Sequence, residues 1–265
     1  MLHGSGIWGS YFEPASTYQS TDLSCSKLPV LSMDEGMVHS VLSTRCPYSV
    51  KAWRYDEVPE SLWNPKNLPL RDWYSTMRQT AHGIVKKYIK FLPHIVRRAD
   101  LVNAVDDQRP CLGVHIRVGD KKGKYISKVK ADAYLPYMEA FQRAGGQVIY
   151  VASDSHRAIQ YLMKSLPDSV TQMVQTQGPY VVRTFKEYPT HFIDSHHRVN
   201  SETLVDILAL SRCSLLLHSY STVAEAAVYL NMDLHNNSVN LEDPDRPSPE
   251  QFQSYTRMIL SRNNE

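Results

Sequence analysis

The residues best suited to chemistry in this chain stand at the ends of short apolar runs. The first run closes on His115-Ile116-Arg117-Val118-Gly119-Asp120-Lys121. Strand alternation puts His115 and Arg117 on one face and Ile116 and Val118 on the other. A guanidinium at a strand's carboxyl end is a bidentate donor for a phosphate or a carboxylate. Gly119 lets the backbone turn, Asp120 can orient Arg117 or Lys121, and Lys122, Lys124, Lys128 and Lys130 add local positive charge. The segment is either an anion-recognition element or an Arg–Asp pair holding a loop beside solvated lysines.

Three further stretches carry polar groups at comparable places. Tyr150-Val151-Ala152-Ser153-Asp154-Ser155 ends a second apolar run. Asp154 can bind a ligand hydroxyl or amide, and Ser-Asp-Ser before a helix is equally a helix cap. In Leu204-Val205-Asp206-Ile207-Leu208-Ala209-Leu210 one carboxylate interrupts an apolar segment. An unpaired buried charge is costly, so Asp206 needs a ligand N–H pair, Arg117 or a backbone group. Otherwise it answers the dipole of a helix that begins near Ser201. Last, His218-Ser219-Tyr220-Ser221-Thr222 leads into Val223-Ala224-Glu225. Small hydroxyl residues at such a turn leave the first helical N–H groups open to an anion; they are also ordinary caps. Neither a Walker P-loop nor a GxGxxG motif is present. Asp194 and His196-His197 suggest metal weakly, because adjacent histidines point apart in a strand, and a solvated loop is the expectation there.

These residues need a scaffold, and the pattern around them supplies one. Strand candidates are Cys111 to Ile116, Gln147 to Ala152, Val170 to Val174 and Ser214 to His218. Helical segments follow at about Ala131 to Ala144, Ser155 to Ser165, Ser201 to Arg212 and Thr222 to Leu230. Such alternation predicts βαβ units, an α/β fold and a Rossmann-like parallel sheet. Ligands bind such sheets at the carboxyl ends of the strands. Upstream, a helical pattern runs from about Arg71 to Ala99, with Trp73, Met77, Ile84, Val85, Tyr88, Ile89, Leu92 and Ile95 on its apolar face. Pro93 should kink or split it. The expected division is a partial N-terminal region over 1–105, a Rossmann-like domain over 106–240 and a C-terminal extension over 241–265. That extension reads as a surface segment followed by one short helix.

Composition narrows the class. The chain has 265 residues, 42% apolar and 21% charged, which suits a soluble globular protein with a sizeable core. Its 29 basic and 27 acidic side chains give a net charge of +2, too little to drive binding to nucleic acid or an anionic membrane. No apolar run approaches the roughly 20 residues of a membrane helix, and no signal peptide is readable. Cys25, Cys46, Cys111 and Cys213 show no CxxC pairing, so zinc and redox motifs are not expected. For Cys111 and Cys213, in apolar runs, a reduced buried thiol is the expectation.

In register, the motifs resemble the inverting fucosyltransferase superfamily. The likeness is closest to core α1,6-fucosyltransferases and bacterial nodulation fucosyltransferases. That family carries a strand followed by His-x-Arg-Arg-x-Asp-Lys, and His115 to Lys121 is similar to it. Ala152-Ser153-Asp154, Asp206-Ile207 and, 15 positions beyond Asp206, the turn around Ser221 follow in the same order. The resemblance covers about residues 110 to 232. It implies a GT-B-like fold of two facing Rossmann-like domains, here with a reduced or truncated N-terminal one. It also implies GDP-fucose as donor, a glycan or glycoprotein acceptor, no metal and no other cofactor, and the Golgi lumen as the place of action. Carried over, His115 and Asp206 would recognise the guanine end, and Arg117 would bind the β-phosphate and stabilise the leaving GDP. Ser221 and Thr222 would cradle the pyrophosphate. Asp120, Lys121, Tyr134 and Asp154 fall on positions the family uses in or near its site. The pattern departs at Val118, where the family has a second Arg, at Lys124-Tyr125, where it has a glutamate, and at Ser155, where it has a second Asp. Protein O-fucosyltransferases and α1,2-type enzymes of the same superfamily, or a silent GDP-sugar or glycan-binding protein, are the alternatives.

Overall fold

The computed structural model describes residues 11–13, 70–102, 110–118, 129–177 and 193–262. At its centre are five parallel strands: β1 (Cys111–Ile116), β2 (Val148–Ser153), β3 (Val174–Gln175), β4 (Leu215–His218) and β5 (Ser238–Asn240). Their order is β3-β2-β1-β4-β5. Every residue of β1, β2 and β4 is buried. Strands covered by helices on both faces read this way, as continuous apolar runs without alternation. The chain moves outward from β1 through β2 to β3, then crosses back to β4 and β5 on the other side. The gap between β1 and β4 is therefore the topological switch point, where ligands of such sheets bind. The fold is α/β and Rossmann-like.

Helices α1 (Leu70–Tyr88), α2 (Pro93–Val102), α3 (Leu135–Arg143), α4 (His156–Ser165), α5 (Asp168–Thr171), α6 (Ile193–Ser211), α7 (Thr222–Leu230) and α8 (Pro249–Arg262) surround the sheet. Alternate side chains of the strands divide between two cores. Leu112, Val114, Ile116, Ile149, Val151, Leu215 and Leu217 meet Tyr137, Met138, Phe141, Leu162 and Phe252 of α3, α4 and α8. Cys111, Tyr150, Ala152 and Leu216 meet Ala209, Leu210, Ala224, Ala227 and Val228 of α6 and α7. Gly113 makes the second contact possible: a Cβ there would lie 3.1 Å from Leu210 Cδ2 and 3.3 Å from Leu216 Cδ1. α3 ends with Gly145 at φ 96°, and the Gly146 N–H donates to the Phe141 carbonyl at 3.0 Å. Only glycine adopts that backbone readily, and it returns the chain into β2.

Several elements differ from the sequence pattern, each for a physical reason. Pro93 does split the upstream helix, and it opens α2, where its missing N–H costs nothing. Ile84 and Tyr88, assigned to the apolar face, are exposed. α1 turns Arg78 inward instead, because α7 offers it a carboxylate. The strand expected over Val170 to Val174 shortens to Val174–Gln175, since Asp168–Thr171, following Pro167, forms a helical turn that drops Val170 into the core. α6 begins at Ile193 rather than Ser201, so Asp194, His196 and His197 lie in a helix and not in a loop. The tail is not a surface extension: Leu241 and Phe252 are core residues, and α8 lies against α3 with the Tyr137 and Phe252 rings 5.6 Å apart. The expectation of reduced thiols also fails, because Cys111 and Cys213 are joined as a disulfide between the start of β1 and the turn before β4.

Candidate functional site

The carboxyl end of β1 is held by a set of polar contacts from β2. Arg117 follows the strand directly, and its Nη1 lies 3.1 Å from Asp154 Oδ2. The other oxygen, Oδ1, accepts the Val118 N–H at 2.8 Å. The Ser153 hydroxyl donates to the Ile116 carbonyl at 2.9 Å, and Ser153 Oγ accepts the Ser155 N–H at 3.1 Å. Ser155 is the cap of α4, its Oγ accepting the Ala158 N–H at 3.3 Å. The Ser-Asp-Ser triplet thus divides its work: the two serines fix strand and helix, and Asp154 orients Arg117. Arg117 keeps 27% side-chain exposure while Asp154 has 7%, so the guanidinium is partly accessible and its orientation is set from below. Asp120 and Lys121 lie outside the described residues.

His115 is buried one register step below, paired with Ala152 and His218 on the neighbouring strands. The Tyr134 hydroxyl donates to the His115 carbonyl at 3.1 Å. Burial pushes the Tyr134 hydroxyl far above its ordinary range, and the Glu242 and Asp154 carboxylates push it the same way. Tyr134 is therefore a neutral donor that braces β1 from the α3 side. It is not a proton acceptor at neutral pH.

At the end of β4, Ser221 caps α7 from an extended conformation, its Oγ accepting the Val223 N–H at 3.2 Å. Ser221 is buried and Thr222 is exposed. The Tyr220 N–H is taken by Glu242 Oε1 at 3.0 Å. His218 is buried, and its Nδ1 meets the Ser219 carbonyl at 3.0 Å, so Nδ1 carries the proton. Burial lowers its pKa to about 4, assisted by the nearby Arg78 charge. It is neutral at pH 7.

Asp206 has partners other than those considered from sequence. Its Oδ1 accepts the Tyr150 hydroxyl at 2.7 Å and also the Gln177 side-chain amide. Gln177 Nε2 donates in addition to the Glu202 carbonyl at 2.7 Å. The structure thus joins Arg117 to Asp154 and His115 to Tyr134, sets Ser221 and Thr222 after the adjacent strand, and gives Asp206 its own cluster under β2.

A second buried carboxylate lies in the first turn of α7. Glu225 is fully buried and pairs with the fully buried Arg78 of α1, whose Nε is 3.0 Å from Glu225 Oε2. Arg78 Nη2 reaches Oε1 as well, and Nη1 meets His235 Nδ1 at 3.0 Å. This pair fastens α1 to the helix whose tip adjoins the switch point. α2 is tied to α6 by Arg98 Nη1 on Ser201 Oγ at 2.6 Å and by Arg212 Nη2 on Asp100 Oδ1 at 2.6 Å. Sequence reasoning missed Tyr150, Gln177, Glu242 and the Arg78–Glu225 pair. The signal that exposed Asp206, one acid among apolar residues, is present at Glu225 too.

Among the described residues no cluster of His, Cys, Asp or Glu could hold a metal ion, and no helix is long and apolar enough to cross a membrane. No protein-family model matches the chain, and no curated protein matches it either.

Proposed function

We propose that this chain is an inverting glycosyltransferase of GT-B-like architecture that moves fucose from GDP-fucose to a glycan hydroxyl without a divalent ion. One observation carries the reading: Arg117 and the Ser221–Thr222 helix tip follow adjacent parallel strands, paired at His115 and His218, at the switch point of the sheet. A partly exposed guanidinium and a helix N-terminus at that point are chemically suited to a diphosphate.

In the reaction the bond from the fucose anomeric carbon to the β-phosphate oxygen breaks, and the electron pair leaves with GDP. The acceptor oxygen forms its bond on the opposite face and loses its proton to a base. Charge grows on the departing diphosphate, and Arg117 meets it from a position Asp154 has already fixed. Such preorganised donors are worth about 100- to 1,000-fold in rate each. Helix N-H groups beyond Ser221 act on the same oxygens. By resemblance, His115 and Asp206 take the guanine end, and Asp120 and Lys121 complete the reacting centre. The Golgi lumen is the corresponding compartment, and a buried disulfide suits such oxidising surroundings.

The test is calorimetric titration with GDP, followed by turnover of GDP-fucose with glycan, glycopeptide and folded-protein acceptors. GDP should bind the wild type and bind Arg117→Ala at least about tenfold more weakly. Equal binding by the two proteins, or none by the wild type, refutes the assignment; product only on folded protein moves it to the O-fucosyltransferases. A catalytically silent GDP-sugar-binding protein is the second reading. Its support is Val118, an exposed apolar residue at the place of the family's second Arg. GDP binding with neither transfer nor donor hydrolysis would favour it.

A further inference from the structure

The turn into β5 carries Asn236-Asn237-Ser238, an acceptor triplet for N-linked glycosylation with a residue other than proline in the middle. The triplet by itself says little, and its surroundings decide. Asn237 is half-buried and employed: its side-chain amide donates to the Ser214 carbonyl at 3.2 Å, and its Oδ1 accepts the Tyr255 hydroxyl at 2.7 Å. The neighbouring asparagines have duties as well. Asn231 caps the 3-10 turn Met232–His235 and donates to the Ser211 carbonyl at 2.8 Å, and Asn240 accepts the Glu242 N–H at 3.0 Å. Asn236 differs. Its backbone is held, the N–H by the Asp233 carbonyl and the carbonyl by the Tyr255 hydroxyl. Its side chain is exposed and makes no hydrogen bond among the described residues. Ser238 opens β5, half-buried, and its hydroxyl likewise makes none.

The position suits a bulky, hydrated group. Asn236 precedes β5, so it stands at the amino end of the parallel sheet, opposite Arg117 and Ser221 at the carboxyl ends. A glycan there leaves that end open. It also lies beside the last strand of the sheet, which pairs only with β4 among the described residues, and strand edges invite pairing with other chains.

Resting on the luminal compartment of the proposed function, we infer that Asn236 is an N-glycosylation site that takes a preassembled oligosaccharide from a lipid diphosphate. Asn236 Nδ2 forms a bond to the anomeric carbon of the oligosaccharide as the bond from that carbon to the diphosphate oxygen breaks. The electron pair leaves with the lipid diphosphate, and one amide proton passes to a base of the transferring enzyme. The Ser238 hydroxyl is the part of the triplet that this enzyme reads beside the amide.

The test uses the full chain isolated from the cells that make it. Beside it stand wild type, Asn236→Gln and Ser238→Ala chains secreted by a eukaryotic host behind a cleavable leader. Intact mass and peptide mapping are read before and after a peptide N-glycosidase, and thiol alkylation reports the state of Cys111 and Cys213. The native and secreted wild type should lose their carbohydrate mass and show aspartate at position 236 afterwards; both variants should carry none. Neither substitution removes a hydrogen bond, so both variants should fold and unfold in urea at the midpoint of the enzymatically stripped wild type. Carbohydrate retained by Ser238→Ala overturns the inference, because the triplet is then not what is read. A bare Asn236 in native chains with the Cys111–Cys213 disulfide formed overturns the inference alone. A bare Asn236 with both cysteines as free thiols refutes the luminal placement, and the inference falls with it. A chain glycosylated at Asn236 that binds no GDP strikes the nucleotide-sugar reading and leaves this site standing.

Discussion

Replacing Arg78 tests how the upstream helices are bound to the sheet domain. Both members of the Arg78–Glu225 pair are removed from water, at 2% and 0% exposure. Arg78→Met keeps the apolar stem but strips Glu225 of both guanidinium contacts and leaves His235 without one. Breaking a buried pair from one side typically costs about 3–5 kcal/mol, because the remaining charge stays desolvated. For a chain of this size that is roughly 10 °C in Tm. The sign of the pH dependence follows from Glu225. Burial already raises its pKa above the ordinary value, with Arg78 the opposing influence; without Arg78 it rises further. A carboxyl whose folded pKa is raised stabilises the fold fully below its unfolded pKa, and that contribution disappears as pH climbs through the folded pKa. The variant's deficit should therefore be largest at neutral pH and shrink in mildly acidic solution, as Glu225 takes up a proton. Urea unfolding of both proteins at the two pH values measures this. Arg78→Met with Glu225→Met, which removes both charges, should recover most of the loss. A deficit below about 1 kcal/mol at neutral pH, or one equal at both pH values, would refute the reasoning.

Other expectations follow from single contacts. Gly113→Ala should destabilise by about 1–3 kcal/mol in urea unfolding, as its Cβ must push aside Leu210 or Leu216; a neutral result would mean that α6 can lift off the sheet freely. Ser221→Ala removes the α7 cap and should cost about 1 kcal/mol, while Ser221→Gly costs only a few tenths; chemical denaturation separates them. His218, held near pKa 4, contributes stability present above its unfolded pKa of 6.5 and lost as pH falls toward 4. The loss attributable to it approaches about 3 kcal/mol, and His218→Phe should flatten the stability profile between those two values.

Legibility from sequence tracked where each residue's partner comes from. β1, β2 and β4 were foreseen to within a residue because a central strand is apolar throughout, whatever else the chain does. β3 and β5 have two and three residues at the sheet edges; the expected strand Val170 to Val174 meets β3 only at Val174, and β5 carries no run long enough to register. The first turns of α6 are polar around Asp194 to Arg198, so periodicity could not find them. Arg117 was visible as a cation at a strand end, yet its orienting partner Asp154 arrives from β2, by tertiary packing. That Asp206 needed a partner was legible from its apolar neighbours. That the partners are Tyr150 and Gln177, 56 and 29 residues distant, was not.

The Arg78–Glu225 contact spans 147 residues, which has a bearing on how the chain is made. At ribosomal speeds of about 5–20 residues per second, Arg78 emerges roughly 7–30 s before the carboxylate that receives its guanidinium. For the later part of that interval, between the synthesis of β2 and that of β4, β1 has β2 beside it but not β4. Nascent chains of this protein thus present a half-covered central strand and an undocked helix together, and chaperone occupancy during synthesis should be concentrated between the appearance of α1 and that of α7.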